Sequence, residues 1–201
     1  YVCGSVLNAI NYCGAIPPIA DINEKDSKIS LRDVQSKINS RTKAIILPHM
    51  FGNPSCEIED FMKLNIPIIE DCALSVGAEH NGKKVGSFGD ISIFSFYATK
   101  VMTTGTGGML LTNNEKIMER VNDLMKYDNR TEFGESYNYK MNDIQASLGL
   151  SQLKKLDDFV SKRRQIASTY SSLLADCKDV ILPDSKESIF FRYIIRGEDA
   201  N

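Results

Sequence analysis

Residues 95–110 read SFYATKVMTTGTGGML, with Lys100 placed directly after an apolar run and just before a tract of threonine and glycine. A lysine amine in such a setting can condense with a carbonyl ligand. Two more residues could complete that chemistry: Asp71, which closes IPIIED, and Ser95, which follows ISIF. A carboxylate beside a pyridine-type nitrogen keeps the ring protonated and makes it an electron sink, while a hydroxyl can donate to a phosphate. Each residue also has a plainer use. Lys100 could be solvated, Asp71 could cap a helix beginning at Cys72, and Ser95 could pack within its strand. His49, after AIILP, reads as a satisfied buried histidine rather than a catalytic one. Gly105, Gly107 and Gly108 read as backbone devices that allow close approach or positive φ.

For these groups to meet, strands must deliver them to one edge, since ligands of open α/β sheets sit beyond the carboxyl ends of the strands. KAIILP, IPIIED, ISIFSF and GMLLT read as short buried strands. Helical patterns separate them. SVLNAINYC (5–13) ends at Gly14 with Pro17 beyond, ISLRDVQSKI carries Ser30 and Asp33 as a capping-box variant, and EIEDFMKLN follows. Thr112 and Glu115 are expected to cap an apolar stripe of Ile117, Met118, Val121, Leu124 and Met125. From Asn142 a longer helical pattern places Ile144, Leu148, Leu153, Leu156 and Val160 on one side and runs through SKRRQ towards a second domain. The alternation predicts an α/β fold with a mostly parallel sheet. Residues 1–155 would form the large domain, and 156–201 a bridging helix with the start of a small one.

The composition narrows the function classes. The 201 residues are 42% hydrophobic and 25% charged with a net charge of −2, which gives no electrostatic footprint for nucleic acid. The longest apolar runs are strand-length, so no membrane span is expected. Five cysteines (Cys3, Cys13, Cys56, Cys72, Cys177) form no CxxC and point to reduced thiols in a cytoplasmic protein. With only His49 and His80, no metal site is expected. TGTGGM lacks the third glycine of a dinucleotide fingerprint, and no GK[ST] ending is present. The opening on Tyr1 and the close just after FFRYIIR read as part of something longer.

Several long motifs occur in collinear order: TKAIILPHMFGNP, IPIIEDCALSVGAEHNGKKVGSFGDISIFSFYATK, TGTGGMLLTNNE and YNYKMNDIQASLGLSQLKKLD. In these the chain closely resembles the DegT/DnrJ/EryC1/StrS family of pyridoxal-phosphate-dependent sugar aminotransferases. The resemblance implies a three-layer transferase large domain of type I, and it implies that an upstream Gly-Thr-type phosphate turn and most of the small domain lie outside these residues. Lys100 matches the lysine that binds the cofactor aldehyde, Asp71 the aspartate paired with the pyridine nitrogen, and Ser95 a serine that binds the phosphate. Tyr1 falls where the family stacks an aromatic ring on the cofactor. Asn138 resembles the asparagine that reaches the phosphate of a neighbouring subunit, which implies a homodimer with shared active sites. The implied reaction moves an amino group, from glutamate by analogy, to a nucleotide-linked keto sugar in amino-sugar or cell-surface polysaccharide biosynthesis. The chain departs from the family pattern at Leu74, Thr106 and Lys140. Retention of Lys100 disfavours the dehydratase branch, which carries histidine there. The alternative reading is a catalytically silent or regulatory α/β relative whose surface serves dimerisation.

Overall fold

A computed structural model describes residues 2–128, 131–132, 134–183 and 186–197. Helices α1 (Gly4–Tyr12) and α2 (Leu31–Lys37) precede strand β1 (Ile45–Pro48). A single 3-10 turn at Met50–Gly52 and helix α3 (Ile58–Met62) lead to β2 (Ile68–Asp71). The hairpin β3 (Glu79–His80) and β4 (Lys83–Lys84) follows, then β5 (Ile91–Ser95) and β6 (Gly108–Leu111). Helices α4 (Glu115–Leu124), α5 (Asp143–Leu153) and α6 (Leu156–Leu173) come next, and β7 (Val180–Ile181) pairs with β8 (Arg196–Gly197) near the end.

The central sheet has the order β1-β2-β5-β6, with the first three strands parallel and β6 antiparallel to β5. A mostly parallel sheet was the expectation, and all four of its strands fall within the apolar runs read from the sequence. Side chains alternate across a strand. Ile45 and Leu47 of β1 and Ile68 of β2 therefore share one face, packed against Val34 of α2 and Ile58 and Phe61 of α3. The opposite face carries Ile46, Ile69, Ile91 and Ile93, each half-buried.

A second cluster gathers Cys72, Ala78, Val85, Val101 and Ile189 against Leu156 and Val160 of α6. The segment bearing Ile189 is tied down at several points. Arg163 donates to the Phe190 and Phe191 carbonyls at 3.2 and 3.3 Å, and Arg164 donates to the Ser188 carbonyl at 3.1 Å. Gly52, at φ +84°, receives the Ile189 N–H on its carbonyl at 2.9 Å. A Cβ on Gly52 would stand 2.7 Å from the Phe191 nitrogen, so glycine is required by both conformation and space.

Three local expectations are corrected. Ser30 does accept the Asp33 amide, but the Asp33 carboxylate turns to the Asp21 amide and to Lys37, so the reciprocal half of the capping box does not form. Helix α4 is capped by Asn114, whose side chain accepts the Lys116 and Ile117 amides, while the Thr112 hydroxyl donates to the Asp90 carbonyl. The long pattern from Asn142 breaks at Lys154 and Lys155. Asn142 and Gln145 form a complete capping box on α5. Ile144, Leu148 and Leu153 on α5 are exposed, whereas Leu156 and Val160 on α6 are buried. One apolar pattern thus served two helices with different surroundings.

Candidate active site

Strand β2 sets two carboxylates back to back. Glu70 shares the packed face with Ile68, and Asp71 takes the other side at the carboxyl end. Parallel pairing places Asp71 opposite Ile93, and Ser95 lies two residues further along β5, so Asp71 and Ser95 fall on the same face of the sheet. Ser95 is paired with Gly108, which offers no side chain and whose Cβ would meet the Phe94 carbonyl at 2.9 Å.

Asp71 is buried at the sheet end. Its Oδ1 accepts the Ala73 amide at 3.0 Å. That bond braces a turn over residues 73–77 rather than the helix start that a capping role would need. Its other oxygen has no partner among the described residues. Lys100 is half-buried in the turn after β5, where its N–H donates to the Tyr97 carbonyl at 3.0 Å, and its Nζ stands 5.6 Å from the Phe191 ring centre. The Ser95 Oγ accepts the Tyr97 amide at 3.4 Å and keeps its own proton for another acceptor.

Cys3 lies within electrostatic reach of both the acid and the amine. Hydrogen bonding with the Ser5 side chain and backbone holds its thiol below the usual range against some desolvation, the Lys100 ammonium lowers it further, and the Asp71 carboxylate opposes. One exposed thiol at the start of α1 therefore feels both groups. Asn138 lies on an exposed stretch between Tyr137 and Tyr139, whose rings stack at 5.3 Å. Tyr1 lies outside the described residues.

The floor beneath Asp71 is a buried polar network. Glu70 Oε1 accepts the Phe88 and Gly89 amides, and Oε2 accepts the Gly86 amide, all at 2.7 Å. His49 Nε2 stands 2.9 Å from the same Oε2. The Ser55 amide donates to His49 Nδ1 at 3.1 Å, so the ring proton sits on Nε2 and points at Glu70. Burial opposes ionisation of Glu70, yet the His49 hydrogen bond and the Gly89 and Gly86 amides outweigh it and hold the carboxyl below its ordinary value. Cys72 joins His49 and Glu70 in a cluster whose donor atoms lie within 4.8 Å of one another. The glutamate's acceptor positions are all taken by N–H groups, and burial pushes the Cys72 thiol up, with the Glu70 charge adding to it. This donor set is built for structure rather than for an ion. His49 fits its reading as a satisfied buried residue. Glu70 escaped the sequence reading, although the pair of acids closing IPIIED was its visible signal.

The departures from the family pattern are also placed. Leu74 lies in the turn braced by Asp71, and the Thr106 carbonyl accepts from Thr104 Oγ1 at 2.8 Å and Gln145 Nε2 at 3.1 Å. No helix among the described residues is long and apolar enough to cross a membrane, and all five cysteines are unpaired thiols.

Sheet order and chain path define an α/β protein with the large-domain fold of type I aminotransferases. The model of the DegT/DnrJ/EryC1/StrS aminotransferase family matches residues 4–201, and the chain belongs to that family. GDP-perosamine synthase of Escherichia coli O157:H7 is 40% identical over 173 residues, which cover 82% of this chain and 47% of that protein. The dTDP-3-amino-3,6-dideoxy-alpha-D-galactopyranose transaminase of Aneurinibacillus thermoaerophilus is 34% identical over 202 residues, covering 95% and 55%. The solved structure of Helicobacter pylori PseC, an aminotransferase of pseudoaminic acid biosynthesis, matches with a TM-score of 0.90 at 30% identity, covering 98% of this chain and 57% of that one. The chain spans about half the length of the relatives it matches.

Proposed function

We propose that this chain carries the cofactor-holding part of a sugar aminotransferase that uses pyridoxal 5'-phosphate, takes an amino group from an amino acid such as glutamate and delivers it to a nucleotide-linked keto sugar. The supporting observation is that Asp71 and Ser95 share one face at the carboxyl ends of neighbouring parallel strands, with Lys100 in the turn that follows the Ser95 strand. The donor set fits the cofactor: an amine for its aldehyde, a carboxylate oxygen without a partner among the described residues for its ring nitrogen, and a hydroxyl proton for its phosphate. When bound, the cofactor supplies that aldehyde and a cationic ring able to take up an electron pair.

Lys100 would hold the cofactor's aldehyde through its Nζ, and the same amine, when free, would be the base for the proton on the donor's α-carbon. Asp71 would keep the ring nitrogen protonated, and Ser95 would donate to the phosphate. Tyr1 would stack on the ring. Asn138 would reach the phosphate of a second subunit, so we read the working form as a homodimer with shared sites, in the cytoplasm. The division into a large domain over 1–155 and the start of a small one over 156–201 belongs to the same reading.

The test is amino transfer by the full chain across a panel of nucleotide-linked keto sugars with glutamate as donor. The expected result is turnover that Lys100→Ala abolishes. Transfer by Lys100→Ala at the wild-type rate would refute the assignment.

A further inference from the structure

Phe191 gathers cations. Lys100 Nζ and the Arg192 guanidinium carbon each lie 5.6 Å from its ring centre, and the Arg163 guanidinium carbon lies at 5.9 Å. Arg163 is occupied by the Phe190 and Phe191 carbonyls. Arg192 is exposed, and its guanidinium makes no ion pair among the described residues. The amine and this open guanidinium thus share one aromatic ring, within twice that distance of each other.

Arg192 lines a pocket with Lys25, Arg196, Phe51 and Phe190. Its acid, Asp26, is already engaged by Lys28, whose amide donates to Oδ1 at 3.0 Å and whose Nζ stands 3.9 Å from Oδ2. The pocket is therefore cationic on balance. Phe51 and Phe190 both hold positive φ, +61° and +49°, a conformation aromatic residues adopt at a cost of about 1–3 kcal/mol. The Arg192 amide donates to the Phe51 carbonyl at 3.1 Å, so the two strained residues are fixed relative to the arginine.

We propose that Arg192, with Lys25 and Arg196 beyond it, forms the seat for the diphosphate of the nucleotide-linked substrate, and that the Phe191 ring carries the sugar between that seat and Lys100. The proposal rests on the aminotransferase reading above. A hexose ring and one glycosidic oxygen span the interval from a reacting ring carbon to the first phosphorus, which fits within the largest separation open to two charged groups that share one ring. Sugar C–H bonds pack well on an aromatic face. A planar guanidinium meets phosphate oxygens through two parallel hydrogen bonds. Three cations lining one pocket, of which Arg196 also donates to the Glu24 carbonyl, suit two adjacent phosphates better than the single carboxylate of an amino donor.

Calorimetric titration of the cofactor-loaded full chain with uridine, guanosine and thymidine diphosphates, and separately with 2-oxoglutarate, tests this. Arg192→Ala should weaken the diphosphate that the wild type binds by about tenfold or more, and Arg192→Lys should recover part of the loss. Both variants should melt close to the wild type, because the guanidinium makes no ion pair among the described residues and its stacking on Phe191 is exposed. Unchanged diphosphate affinity in Arg192→Ala, no diphosphate binding by the wild type, or a loss confined to 2-oxoglutarate would each overturn the proposal. Failure of the underlying reading shows separately, as absence of any covalent cofactor adduct on Lys100.

Discussion

Alternation along β2 turns Glu70 into the packed face and Asp71 towards the open sheet end, so neighbouring carboxylates carry different burdens. Glu70 accepts four N–H groups, and a glutamine there would aim an NH2 at donors. Glu70→Gln should cost about 2–4 kcal/mol of stability, read by urea denaturation at neutral pH. The pH dependence follows from the lowered carboxyl. Its contribution is complete above the unfolded value of about 4.3 and is lost as pH falls through the lower folded value. Wild-type stability should therefore drop on acidification below about pH 4.3, and Glu70→Gln should lose less over the same interval. Asp71→Asn, by contrast, should leave the melting temperature nearly unchanged and reduce amino transfer by about a hundredfold or more. The types of Lys100, Asp71 and Ser95 were readable in sequence because each ends or follows an apolar run. Glu70 was hidden because its partners are backbone amides of the 86–89 turn, and no side-chain pattern announces them. Arg192 was hidden too, since its neighbour on the Phe191 ring is more than ninety residues away in the chain.

At the scale of elements, the strands were legible because four short apolar runs have few alternatives once helices separate them. Caps and breaks were less so. Thr112 and Asn114 are both acceptable caps by type, and the choice went to Asn114 because the Thr112 hydroxyl is drawn to Asp90 across the sheet end. Asn114→Ala should destabilise by about 1 kcal/mol, whereas Thr112→Ala should leave the cap of α4 intact. The break at Lys154 and Lys155 has no glycine or proline to mark it, and a stripe that continues across a break looks the same as one continuous helix. Gly52 gives the sharpest element-level test. Gly52→Ala should lower stability by about 2 kcal/mol or more, through its positive φ and the contact with the Phe191 nitrogen. A melting curve matching the wild type would mean that the 50–53 turn and the 188–192 segment are not locked together as described.

Across the whole molecule, α5 presents Ile144 at 82% and Leu148 at 42% exposure on one side, close in sequence to Asn138 and its stacked tyrosines. Under the shared-site reading this face meets a second copy. Sedimentation of the full chain should then show a dimer that Ile144→Glu shifts towards monomer. Nothing in the apolar pattern of α5 could have revealed this, because a stripe facing a partner and a stripe facing the core share one period. The central claim is that the amine of Lys100 and the carboxylate of Asp71 hold one aldehyde cofactor between them. Incubating the full chain with pyridoxal 5'-phosphate, reducing with borohydride and mapping the product by peptide mass spectrometry tests it directly. The account predicts a reduced adduct on Lys100 that Asp71→Asn weakens. An adduct spread over surface lysines, or none at all, would contradict it.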